Sequence, residues 1–97
     1  MTERSRISVS DNPEGHRFEA VDESGEVAGV AVYRRHDDRI VFLHTEVDDA
    51  REGQGVGSEL VREALDQVRS EGLRVVAQCP FVRSWIEQHP AYADLTS

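Results

Sequence analysis

The apolar residues of this chain change period once, and the change falls at a run of alternate glycines, Gly53, Gly55 and Gly57. Before the glycines the pattern is that of strands. After them Val56, Leu60, Val61, Ala64, Leu65 and Val68 describe one stripe of an amphipathic helix. A glycine inside a helix costs about 0.5–1 kcal/mol relative to alanine, so three of them at a helix start imply a need for bare backbone. The junction therefore constrains the fold: an extended half, a glycine turn, then a helical half.

The extended half reads as four strands. Ile7–Ser10 is short and is followed by the turn residues Asp11 to Gly15. Arg17–Val21 alternates, with Phe18 and Ala20 on one face, and Asp22 to Gly25 forms the next turn. Glu26–Tyr33 is rich in valine and alanine and reads as buried on both faces; Arg34 to Asp38 reads as a loop, and Arg39–Val47 is strongly β-branched. Short turns between four strands imply an antiparallel meander.

In the helical half, Gly72 stands where a helix C-terminus favours glycine. Leu73–Ala77 is a short buried strand. Phe81–Gln88 is a last helix with Phe81, Val82, Trp85 and Ile86 inward, stopped by His89-Pro90. The order β-β-β-β-α-β-α makes the fifth strand parallel to the fourth. At 97 residues this is one small domain, spanning 1–97.

Composition narrows the partners. The net charge of −8 argues against nucleic acid, which needs a basic face, and leaves room for cationic partners such as amines. No apolar run approaches the roughly 20 residues of a membrane helix, and MTERSRISVS lacks the apolar core of a signal peptide. One cysteine, Cys79, permits no internal disulfide, and a cytoplasmic location is the expectation. No His/Cys spacing suggests a metal; His16, His36 and His89 read as surface residues of turns. The oligomeric state is not legible.

A helix N-terminus offers unpaired N–H groups and a partial positive charge, and glycines let a ligand approach them closely. The turn is thus a candidate phosphate or pyrophosphate site; the alternative is a tight turn without ligand. A Walker loop is excluded, because the basic residues are all arginine. The G-x-G-x-G spacing after a meander also differs from the dinucleotide fingerprint.

"EGQGVGSELV" resembles motif A of the GCN5-related N-acetyltransferases, R/Q-x-x-G-x-G/A. With "FLHTEV" before it and "VVAQCPFVRSWIEQHPAYADL" after it, the chain resembles the short, single-domain, YjdJ-type or NATD1-like branch of that superfamily over about residues 17–95. The resemblance implies an α/β fold, a mostly antiparallel twisted sheet splayed between strands four and five. It implies acetyl-CoA as cosubstrate, with pyrophosphate on the backbone of Gly53–Ser58, that is Gly53, Gln54, Gly55, Val56, Gly57 and Ser58. The chain departs from the pattern at the first motif position, where Glu52 replaces Arg or Gln; Arg51 and Gln54 are the nearby side chains able to contact the cofactor.

Strict alternation along Arg39–Val47 puts Ile40, Phe42, His44 and Glu46 on one face. His44 suits removal of an ammonium proton, and Glu46 suits holding the imidazole or acting through water; the alternative is a histidine satisfied within the sheet. In the resembling branch, the cysteine of "CPF" and the histidine of "HT" are taken as active-site residues, which here are Cys79 and His44. Cys79 could be a nucleophile, a proton donor to the departing CoA thiolate, or a buried small hydrophobe. The resemblance implies direct acetyl transfer to an amine, on a small molecule or a protein, with the thioester between His44 and Cys79. The short chain leaves the acceptor side open, and Asp48 and Asp49 could attract a cationic acceptor. The reading from another class is a non-catalytic CoA-binding or interaction module with the same fold.

Overall fold

A computed structural model describes residues 7–49 and 55–96. Five strands form one sheet in the order β1-β2-β3-β4-β5: β1 (Ser8–Asn12), β2 (Arg17–Val21), β3 (Val27–Arg35), β4 (Arg39–Val47) and β5 (Arg74–Ala77). The first four pair antiparallel, and β5 joins β4 in parallel. Helix α1 (Val56–Ser70) makes the crossover between β4 and β5, and α2 (Pro80–Gln88) follows β5. The β2, β4 and α1 boundaries agree with those expected from periodicity.

Three local readings are corrected. Strand β1 runs on through Asp11 and Asn12, and β3 runs on to Arg35, because each finds a cross-strand partner. Strand β3 is not buried on both faces: Ala31 and Tyr33 are buried, but Val30 and Val32, which alternate with them, are half-exposed. The chain does leave the α-helix at His89, but it continues as a 3-10 helix, Pro90–Thr96, whose Leu95 packs into the core.

Helix α1 forms because its apolar stripe repeats every three or four residues. It buries Val56, Leu60, Val61, Ala64, Leu65 and Val68, which pack against Phe18, Ala31, Tyr33, Ile40 and Phe42 of the sheet in one core. Each buried valine or leucine contributes roughly 1.5–3 kcal/mol, so this stripe is the main attachment of helix to sheet. At the C-terminal end, Gly72 takes a φ of 74°, and Leu73 N–H bonds back to Val68 O at 3.3 Å. The left-handed residue turns the chain out of the helix and into β5.

Both helices lie on the face that carries this core. The opposite face of the sheet has no helical layer among the described residues, and it displays half-exposed Val30 and Val32 and exposed His44 and Glu46. No described helix is long and apolar enough to cross a membrane.

Candidate active site

The site is organised by an irregularity in β4. Its register on β3 runs Val30↔Glu46, Ala31↔Thr45 and Val32↔His44, then jumps to Tyr33↔Phe42. Leu43 is the extra residue, a β-bulge. One unpaired residue reverses the facing of everything beyond it. Ile40 and Phe42 face the core, but so do Thr45 and Val47, while His44 and Glu46 turn to the open face. The expectation that Ile40, Phe42, His44 and Glu46 share one face is therefore corrected. Uninterrupted alternation would carry an imidazole and a carboxylate into the helix-covered side, where desolvation would oppose them. The bulge keeps both in water.

His44 and Glu46 do meet, as neighbours two apart on one face. His44 Nε2 lies 3.0 Å from Glu46 Oε2, with the side chains 59% and 69% exposed. With Nε2–H donating to the carboxylate, the neutral ring keeps Nδ1 free as an acceptor. Glu46 thus orients the imidazole.

The same bulge opens a gap. Strands β4 and β5 pair only from Arg39↔Arg74 to Phe42↔Ala77. Phe42 O closes the ladder by accepting from Gln78 N–H at 3.0 Å and Cys79 N–H at 2.9 Å. From Leu43 to Val47, β3 is the strand partner of β4, and its other edge faces no strand among the described residues. The expected splay between strands four and five is this divergence.

The glycine turn lies beside the gap, since Val47 of β4 borders Gly57. Arg51, Glu52, Gly53 and Gln54 lie outside the described residues. Gly55 is the N-cap of α1, with a φ of 80°, and a Cβ there would meet open space. Among the described residues no side chain caps this end of the helix. The first intrahelical bond is Glu59 N–H to Gly55 O at 3.0 Å, which leaves the N–H groups of Val56, Gly57 and Ser58 without intrahelical partners. Uncapped donors beside open space can accept an anion.

Gly57 has a second reason to be glycine. A Cβ there would sit 2.8 Å from Phe81 Cζ and 3.3 Å from Val47 Cγ2. Its missing side chain makes room for protein, so bare backbone for a ligand explains Gly55 and not Gly57. Phe81, expected on the inner face of α2, is instead 44% exposed, its ring tip against Gly57. The N-terminus of α1 is further tied to α2 by Trp85 Nε1–H donating to Ser58 Oγ at 2.8 Å.

Cys79 is the N-cap of α2 and is 3% exposed. Its Sγ lies 3.4 Å from Thr45 Oγ1, either of which can donate. It sits on the core side of β4, with His44 on the other face, so the structure does not bring the two into contact. Thr45, which sequence reasoning did not select, is the residue that touches the thiol; with alternation unbroken it faced away, and no signal marked the bulge that turns it.

Residues 17–95 match the family described as GCN5-related N-acetyl-transferase. The chain belongs to that family. It is 39% identical over 62 residues to protein NATD1 of Bos taurus and 37% identical to that of Homo sapiens. Each match covers 63% of this chain and 55% of the relative, so the chain matches about half the length of these proteins. The solution NMR structure of a GCN5-like protein from Staphylococcus aureus, a candidate N-acetyltransferase, superposes with a TM-score of 0.68 at 26% identity, covering 99% of this chain and 91% of that one. The family supports acetyl transfer as the general chemistry.

Proposed function

We propose that this domain binds acetyl-CoA in the gap between β4 and β5 and transfers the acetyl group directly to an amine. The observation that carries the reading is the set of uncapped N–H groups of Val56, Gly57 and Ser58, which open beside the unpaired edge of β4. Pyrophosphate would sit on these groups, with Gly55 admitting it closely. The rest of the motif, Arg51, Gly53 and Gln54, would complete the cradle.

In the transfer step the amine lone pair attacks the acetyl carbonyl, a C–N bond forms and the C–S bond breaks. His44 Nδ1, with the ring held by Glu46, takes the amine proton from the open face and releases it to water. The departing thiolate takes a proton from Cys79, whose thiol is held by Thr45; water then restores it. His44 and Cys79 act from opposite faces of β4, which agrees with an amine arriving on one side and a thiolate leaving on the other.

The test is ligand competition followed by turnover. In a thermal-shift comparison of CoA, NAD and ATP, CoA alone should stabilise, by about 2.7 kcal/mol at a hundred times its dissociation constant. Acetyl-CoA with a panel of primary amines should then release free thiol. Absence of CoA binding removes the reading, and binding without transfer to any amine leaves a CoA-binding module.

A further inference from the structure

We propose that the open face of the sheet holds a subsite for an anionic group, and that the amine acceptor is one that carries its own carboxylate or phosphate. Naming this the acceptor subsite rests on the acetyltransferase reading above. A cavity of about 450 Å³ lies beside His44, lined by Pro13 and His16 of the β1–β2 turn, Val32, Arg34 and Arg35 of β3, and the bulged Leu43. It adjoins His44 in two ways: Leu43 precedes it in the chain, and Val32 is its cross-strand partner. The volume suits a molecule of amino-acid size.

The charge of this cavity opposes that of the protein. The chain carries −8, yet the ionisable residues lining the cavity, apart from the Tyr33 phenol, are two arginines and a histidine. Arg35 is engaged, donating to Asp11 Oδ2 at 3.0 Å and to Glu71 Oε1 at 2.8 Å. Arg34 makes no side-chain hydrogen bond or ion pair among the described residues, although carboxylates outnumber cations in this chain. Three acidic groups of the sheet have other partners: Glu46 pairs with His44, Glu19 with Asn12 and Arg17, and Asp11 with Tyr33 and Arg35. A guanidinium without a partner among the described residues, at the rim of a pocket with apolar walls of Val32, Leu43 and Pro13, is matched to a small organic anion. Repulsion from the remote acidic surface is screened within about 8–10 Å at ordinary salt, so the Arg34 guanidinium decides.

The geometry also orders the acceptor. Arg34 lies two residues along β3 from Val32, about 7 Å of strand. An anion held by Arg34 would place the rest of the molecule over Val32 and Leu43, with its amine at His44. Plain hydrophobic amines would lack this anchor.

The experiment uses the protein without acetyl-CoA, by amide NMR titration with 3-phenylpropionate and with phenethylamine. The first should give saturable shifts at Val32, Arg34 and Leu43, and the second should not. In Arg34→Gln the affinity for 3-phenylpropionate should fall about tenfold, the effect of one charge-assisted hydrogen bond. Arg34 is exposed, so this variant should keep the thermal midpoint of the parent. Equal response to both probes, no saturable shift with the carboxylate, or an affinity unchanged in Arg34→Gln would overturn the subsite. Titration of CoA into the same samples reads Gly55–Ser58 separately. Failure there with carboxylate binding intact removes the acetyltransferase reading and leaves the anion site standing.

Discussion

Thr45 and His44 are consecutive residues that face opposite sides of the sheet, and the bulge at Leu43 decides which side each takes. Thr45 Oγ1 lies 3.4 Å from Cys79 Sγ on the core side, while His44 meets Glu46 in solvent. The backbone between them borders the gap where β4 has left β5. One extra residue thus turns an imidazole to the wet face and the hydroxyl that meets the thiol to the dry one. That arrangement gives the two groups separable roles.

Replacing His44 with alanine should leave the fold almost untouched. The side chain is 59% exposed, and exposed substitutions of this kind change stability by about 0.5 kcal/mol or less. If His44 is the base, turnover should fall on the order of 10²–10⁴-fold with CoA affinity unchanged. Denaturant unfolding, calorimetry with CoA and thiol release measured together would read all three. Parallel loss of binding and rate would assign His44 a structural role.

Cys79 should not form an acetyl adduct. It is 3% exposed, and its sulfur is engaged with a hydroxyl on the core side. Attack on the acetyl carbonyl would require the sulfur to leave Thr45 and turn toward the substrate. Intact mass after incubation with acetyl-CoA, without acceptor, should be unchanged. Cys79→Ser keeps a donor beside Thr45 and should retain more turnover than Cys79→Ala. An adduct mapped to Cys79 that discharges on adding an amine would replace direct transfer with an acyl-enzyme.

The two described glycines of the turn should respond differently to alanine. At Gly55 the Cβ has space but the backbone is left-handed, a strain of roughly 1–2 kcal/mol that no neighbouring substitution relieves. At Gly57 the new Cβ meets the Phe81 ring, and overpacking costs about 1–3 kcal/mol unless that ring swings away. Gly57→Ala should therefore be destabilising in the parent and near neutral in a Phe81→Ala background. A double-mutant cycle from urea unfolding checks this, and additive effects would show that Phe81 is not the constraint.

The elements that sequence made legible were those held by local periodicity. Helix α1 begins at Val56 because the stripe does, and β4 spans Arg39–Val47 because nine residues of β-branched and apolar character have no breaker. The facing of His44 was not legible. The bulge that sets it falls at a leucine, with no glycine or proline to mark it, and is specified by β3 across the ladder. The reason for Gly57 was hidden likewise, since the ring that needs its space is Phe81, 24 positions away in sequence. The exposure of Phe81 follows from the same contact. The pairing of Cys79 with a hydroxyl depends on the same bulge, and no spacing rule links Thr45 to a residue beyond an intervening helix and strand.

The last prediction concerns pH. Glu59 and Glu63 lie one turn apart on α1, and the Glu63 carboxyl is pushed up to about 7. The largest cause is a hydrogen bond from one carboxyl to the other, which needs a proton, followed by partial burial and the Glu59 charge; Arg62 opposes the shift. Because the folded value lies above the ordinary 4.5, the folded protein holds more protons than the unfolded chain between about 4.5 and 7. The contribution of this pair is fully present below that window and is lost as pH rises through it, so stability should fall from pH 5 towards pH 8. Glu19 and Asp94 are shifted the other way by Asn12 and Arg17, and by Arg69, so their contributions are lost only on acidification below the usual carboxylate range. Comparison with Glu63→Gln isolates this pair, because that variant leaves every other ionisable group in place. An amide cannot ionise and still donates to Glu59. Glu63→Gln should therefore match the parent near pH 5, exceed it near pH 8, and flatten the slope between. Urea unfolding of both proteins at several pH values checks this, and parallel curves would show that the two carboxyls do not share a proton.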